Sequence, residues 1–205
     1  MSRKNWVLAS AVALGAVVAM AAPRAAGQAA DVPTKKDPLR FSAFAVSMQA
    51  GAAGRVEIAI ERWSTDQERQ GLIEVLAGAS FKSGGQDKLL RALQKIKPRV
   101  GYIRTPNSLG WDLQYARENM LADGMRQIVI ATDKPVSFLA AASGARTMDY
   151  PFTFVEMRMK PNDKGEGRLL VATAVDVKNG RLELENYGQE PVRLTTITQE
   201  EPKKK

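Results

Sequence analysis

Two short segments carry the side chains best suited to hold a ligand. In Arg99–Thr105 alternate positions are Val100, Tyr102 and Arg104, and in Trp111–Glu118 they are Trp111, Leu113, Tyr115 and Arg117. Paired across the turn Pro106–Gly110, these strands would line one surface with aromatic rings and guanidiniums, the common design of a pocket for an amphipathic or anionic small molecule. Trp63, just ahead of a helix start, is expected to act as a hydrophobic staple and secondarily as a wall of that pocket. The candidate ligand-binding residues are therefore Trp63, Tyr102, Arg104, Trp111, Tyr115 and Arg117. The competing reading is that the rings fill the core and the arginines end in water or in ion pairs, the commoner outcome for aromatics at strand spacing. A third stretch repeats the theme: Tyr150, Phe152, Phe154, Glu156 and Arg158 alternate on one face, with Glu156 placed to pair with an arginine.

The chain holds no histidine and no cysteine. A Ser-His-Asp triad, thiolate chemistry, disulfides and the commonest metal ligand are excluded together. No phosphate-binding glycine loop, dinucleotide turn or nucleophile elbow is present. Carboxylates, Tyr, Lys, Arg and Ser remain, and no spacing singles out a set, so no catalytic residue, metal site or cofactor is expected. Asp66 and Glu68 fall in a first helical turn, where carboxylates cap amides. The stretch Asn162–Gly167 reads as a loop with oxygen ligands but lacks calcium-loop spacing and carries Lys164 in its middle.

The elements that would position these residues are mainly strands. Nine runs are expected, at Arg40–Gln49, Arg55–Trp63, then about 99–105, 111–118, 125–132, 150–159, 168–176, 181–187 and 191–198. Val56, Ile58 and Ile60 alternate with Glu57 and Glu61, a strand with one wet face. Ala50–Gly54 reads as a hairpin turn and Asn179-Gly180 as a two-residue hairpin. Two helices come after the second strand. Ser64 with Gln67, or Thr65 with Glu68, opens the first, with Leu72, Ile73 and Leu76 inward; Gln86–Lys97 forms the second and Pro98 stops it. A further short helix is expected over Val136–Ala142, and Pro161–Gly167 as a turn. The fold expected is α+β, mainly antiparallel β: a curved sheet, or a barrel that resembles a calycin in architecture, with two helices over one face or mouth.

The chain ends are of another character. Arg3 and Lys4 precede the apolar run Val7–Met20, which is shorter than the ~20 residues of a membrane-spanning helix. This pattern is a signal peptide of about residues 1–27, with small-residue cleavage sites across 21–30. No Arg-Arg pair precedes it, so the general secretory route to the periplasm or medium is expected, without a stable membrane anchor after cleavage. Residues 28–38 read as a disordered lead-in, 39–198 as a single β-rich domain and 199–205 as a disordered basic tail. The 30 Lys and Arg outnumber the 22 Asp and Glu, but Arg3, Lys4 and Arg24 belong to the leader and Lys203, Lys204 and Lys205 to the tail. The folded part is only slightly basic, so nucleic acid is not an expected partner.

Four segments resemble a family of uncharacterised exported bacterial proteins: Glu61–Asp66, Val100–Leu113, Asp149–Thr153 and Leu182–Tyr187. The resemblance implies one exported domain and carries no site. Three function classes stand against one another. The first is a non-catalytic domain binding a small amphipathic or anionic ligand. The second is a cell-envelope structural or protein-interaction module using a sheet edge or the lysine tail. The third is a hydrolase working through acidic residues.

Overall fold

Strand β1 (Leu39–Ser47) and strand β2 (Ala52–Ile60) form a hairpin in continuous register from Leu39 opposite Ile60 to Ser47 opposite Ala52 in the computed structural model. The model describes residues 32–48, 51–78, 85–106, 108–136, 152–171, 174–178, 181–185 and 191–201. All belong to one compact unit. The expected leader and residues 202–205 of the expected tail 199–205 lie outside the described residues, as does the helix expected over Val136–Ala142 apart from Val136 itself. Pairing in the hairpin runs three residues into the expected turn. Ala52, Ala53 and Gly54 carry ladder bonds, and Gly51 adopts a left-handed φ of 59° at the reversal.

The other strands are β3 (Gly101–Arg104), β4 (Trp111–Leu113), β5 (Tyr115–Met120), β6 (Arg126–Thr132), β7 (Thr153–Met159), β8 (Lys164–Val171), β9 (Ala174–Lys178), β10 (Arg181–Glu185) and β11 (Val192–Gln199). Nine of the eleven strands among the described residues make one antiparallel sheet in the order β4-β3-β2-β1-β11-β8-β7-β6-β5. The two outermost strands are consecutive in the chain. The segment Trp111–Met120 pairs with β3 through Leu113, bends at Gln114, and pairs with β6 from Tyr115 onward, so the sheet curls into a nearly closed barrel. Gln114 is buried at the bend, donating its N–H to the Ala131 carbonyl at 3.0 Å and accepting the Asp133 N–H through its side-chain oxygen at 3.2 Å. The expected α+β architecture, a strand-rich barrel with two helices after the second strand, is the one observed.

Alternation decides what fills the barrel. Phe41, Ile58, Ile60, Ile103, Leu113, Ile128, Ile130, Met157, Met159 and Leu169 all face inward and are fully buried in one apolar cluster. Each such side chain removed from water contributes about 1.5–3 kcal/mol. The wall is tight where β7, β8 and β11 meet, because a Cβ at Gly165 or Gly167 would run into the Arg158 or Glu156 carbonyl. These glycines therefore lie inside a strand. The turn expected over Pro161–Gly167 is shorter: Lys160 N–H and C=O bond to Lys164 C=O and Asp163 N–H, and Asp163 takes φ 58°. The run expected over 168–176 is likewise two strands. β8 stays in the barrel, whereas among the described residues β9 pairs with β10, Lys178 opposite Arg181, as a separate two-stranded sheet. Asn179 and Gly180 lie outside the described residues.

Helix α1 (Asp66–Gly78) and helix α2 (Gly85–Lys95) pack on the outside of the barrel. Thr65 and Glu68 make the capping box, Thr65 N–H to Glu68 Oε2 at 2.8 Å and Glu68 N–H to Thr65 Oγ1 at 3.1 Å. Ser64, the alternative cap, turns to the barrel instead. Leu72, Val75 and Leu76 join Leu89, Leu93 and Ile96 over Ala131, Phe152, Phe154 and Leu170. Ile73, expected inward, is exposed, since it sits about 100° around the helix from Leu72 on the side away from the sheet.

Candidate functional site

The six sequence-predicted residues do not share a surface. Tyr102 stands opposite Asp112, and Ile103 opposite Trp111. Tyr102 and Arg104 therefore face outward with Asp112, while Trp111 packs against the interior cluster. The bend at Gln114 shifts the alternation by one residue: Ala116 turns inward opposite Ile130, and Tyr115 and Arg117 turn outward. Tyr115 lies beneath the helices, where burial pushes its phenol up against the opposing charges of Arg117 and Arg69. Arg117 pairs with Asp66 of α1 at 2.7 Å. Trp63 packs on the barrel core instead of on the helix cluster, so the staple reading is replaced by a wall of the interior.

Tyr102 and Arg104 belong to a charge ladder across β1, β2 and β3. Arg40 donates to Glu57 and to the Tyr102 hydroxyl, both at 2.9 Å; Arg104 pairs with Glu57 at 2.8 Å; Arg99 bridges Glu61 at 2.9 Å and Asp112 at 2.6 Å. The Arg99 and Arg104 guanidiniums each stand 5.3 Å from the Tyr102 ring centre. Burial works to raise the Glu57 pKa, but the hydrogen bond and charge of Arg104, with Arg40, outweigh it and hold the carboxyl below its ordinary value. Each arginine of this ladder has an acidic partner, so its charges are spent on one another.

A different part of the outer face is open. Outward positions of β6, β7 and β8 form successive rows: Ala131, Phe154 and Leu170, which the helices cover; then Val129, Glu156 and Arg168; then Gln127, Arg158 and Glu166. Past the helix-covered row lies a groove of about 490 Å³ lined by Met125, Glu156, Arg158, Lys160, Glu166, Gly167 and Arg168. Glu156 is its fixed centre. Its side chain is 15% exposed and accepts from Gln127 Nε2 at 2.7 Å, Arg168 Nε at 2.8 Å and Arg158 Nε at 3.4 Å. Burial raises its pKa, yet the Gln127 hydrogen bond and the charges of Arg168 and Arg158 carry it below the ordinary carboxylate value. The two arginines around it are 56% and 55% exposed, which leaves guanidinium surface for a ligand.

Sequence alternation marks Glu156 and Arg158 as sharing a face. It misses the β8 half of the groove, because Lys164–Gly167 has the composition of a loop. Chemically the groove suits electrostatic capture. A carboxylate held ionised by its neighbours is a poor proton donor near neutral pH, whereas Arg158, Lys160 and Arg168 offer donors to an anion. Asp163, one oxygen of the stretch weighed for calcium, is taken by Arg126 at 3.0 Å. Among the described residues no three acidic side chains gather around one ion site, and no helix is long and apolar enough to cross a membrane. No family model, curated protein or solved structure matches the chain.

Proposed function

We propose that this chain is an exported, non-catalytic binding protein that holds a small anionic or amphipathic ligand in the groove outside β6–β8. The observation that carries the reading is the groove itself: about 490 Å³, with three cations, Arg158, Arg168 and Lys160, exposed beside two carboxylates, the fixed Glu156 and the exposed Glu166. Export rests on the leader, Arg3 and Lys4 followed by Val7–Met20. Chain recovered through the export pathway and examined by native mass spectrometry, then by thermal shift against fatty acids, isoprenoids and anionic metabolites, tests the binding. The expected result is a retained or stabilising anion whose effect disappears in the double variant Arg158→Ala, Lys160→Ala. Equal shifts in that variant, or none in the parent, refute it.

A second reading, an envelope interaction module, draws on one feature. The β1–β2 and β3–β4 turns lie at the same end of the meander and expose Met48 and Leu109. Capture of an envelope protein lost on Met48→Ser, Leu109→Ser would favour it over the groove.

A further inference from the structure

Beside Arg168 of the groove, β11 carries a second guanidinium. Arg193 stands directly opposite Arg168 in the β8–β11 ladder. Directly opposed residues of an antiparallel pair hold their Cβ atoms about 5 Å apart, and like charges there repel. Glu156 relieves that repulsion on one side only. Arg168 commits Nε and Nη2 to Glu156 Oε2, at 2.8 and 2.7 Å. Its Nη1 edge is left over. Arg193 has Val46 as its other cross-strand neighbour and, among the described residues, no acidic partner; both Arg168 and Arg193 are exposed. Glu166 lies one diagonal away, and among the described residues no ion pair joins it to Arg193.

Resting on the groove reading above, we propose that the ligand carries a tetrahedral oxyanion, a phosphate or sulfate group, seated between Arg168 and Arg193. A carboxylate presents two oxygens in one plane and matches one guanidinium fork. Two guanidiniums rising from neighbouring strands need acceptors in more than one plane, and a tetrahedral group supplies three. The rest of the ligand then runs along Arg158 and Lys160 toward Met125. The like-charged step between β8 and β11 is thereby the binding element of the site, and the anion removes a repulsion that the unliganded sheet carries.

The test is calorimetric titration of the secreted chain with inorganic phosphate, inorganic sulfate and acetate at matched ionic strength, in the parent, Arg193→Gln and Arg158→Gln. Phosphate or sulfate binding that exceeds acetate and falls about tenfold or more in Arg193→Gln is the expected outcome, the loss of one charge-assisted contact. The ranking of phosphate against sulfate names the source group. In low salt without oxyanion, Arg193→Gln is expected to melt at or above the parent, because its removal lifts the repulsion. Acetate equal to phosphate, or Arg193→Gln binding like the parent, overturns the proposal. Failure here with organic anions still binding through Arg158 and Lys160 leaves the groove reading intact; loss of both sinks the two together.

Discussion

Ser64 and Ala116 exchange two hydrogen bonds across the seam where the barrel closes: the Ser64 N–H donates to the Ala116 carbonyl at 2.8 Å, and the Ala116 N–H donates to Ser64 Oγ at 3.1 Å. Ala116 is the first inward residue after the bend at Gln114, so its amide has left β3 without a ladder partner on that side. The serine hydroxyl takes the place of a strand. Ser64→Ala leaves a buried N–H unpaired and is expected to cost about 1–3 kcal/mol. Urea melts measure the cost, and amide exchange should quicken first at Ala116. An unchanged midpoint would show that water replaces the hydroxyl.

Thr196 adopts φ 49° at the point in β11 where the pairing with β8 slips between Leu194 and Ile197. A β-branched residue in the left-handed region is strained by about 1–2 kcal/mol. Thr196→Gly relieves the strain and gives back part of it in chain entropy, for a net gain of about 0.5–1 kcal/mol. The variant should melt higher than the parent; a lower melting temperature would mean that the threonine side chain contributes contacts of its own.

Glu156 links stability to pH. Its folded pKa lies below the ordinary 4.5, so the native state favours its ionised form. That contribution is fully present above the unfolded value and is lost as pH falls through the folded one. Glu57 and Glu68 act in the same direction. Stability should therefore decline below about pH 4.5, and Glu156→Gln should flatten part of that decline. The same change leaves Arg158 and Arg168 without their shared acid, so oxyanion binding at neutral pH should tighten even as the midpoint in urea falls. Weaker binding would show that Glu156 positions the arginines more than it competes with the ligand.

Arg104 separates the two candidate faces. It is a partly exposed member of the ladder through Glu57, and exposed ion pairs are worth about 1 kcal/mol or less. Arg104→Ala is expected to lower stability by no more than that and to leave anion affinity unchanged, in contrast to Arg193→Gln. Parallel losses in both variants would move the ligand to the Tyr102 face.

Much of this architecture was legible in the residue pattern. Val56, Ile58 and Ile60 announce a half-buried strand, Thr65 with Glu68 marks the opening of a helix, and Pro106–Gly110 marks the turn between β3 and β4. What failed was parity. A hairpin register decides which strand face meets which, and Ile103 opposite Trp111 sends Trp111 inward while Tyr102 faces solvent. No local signal reports that choice, nor the bend at Gln114 that turns Tyr115 and Arg117 to the outside. The glycines at 165 and 167 misled for a related reason. They read as loop residues because nothing near them in sequence reveals the carbonyls they must pass. Arg193 opposite Arg168 belongs to the same class, a contact between strands far apart in the chain.

The pairing of β1 with β11 sets an order of events during folding. Phe41 and Gln199 stand opposite each other although almost the whole domain separates them in sequence. Until Val192–Gln199 arrive, β1 is bordered on one side only and β8 on one side only, each with a row of unsatisfied amides and carbonyls ready to template another chain. A polypeptide that emerges amino end first thus carries the β1 edge through most of its synthesis and gains the β8 edge near the end, and both vanish in one step when the last strand slides between them. Contacts this distant in sequence form slowly. The final strand is therefore the clasp, and a chain lacking it should assemble with its own kind before it closes on itself.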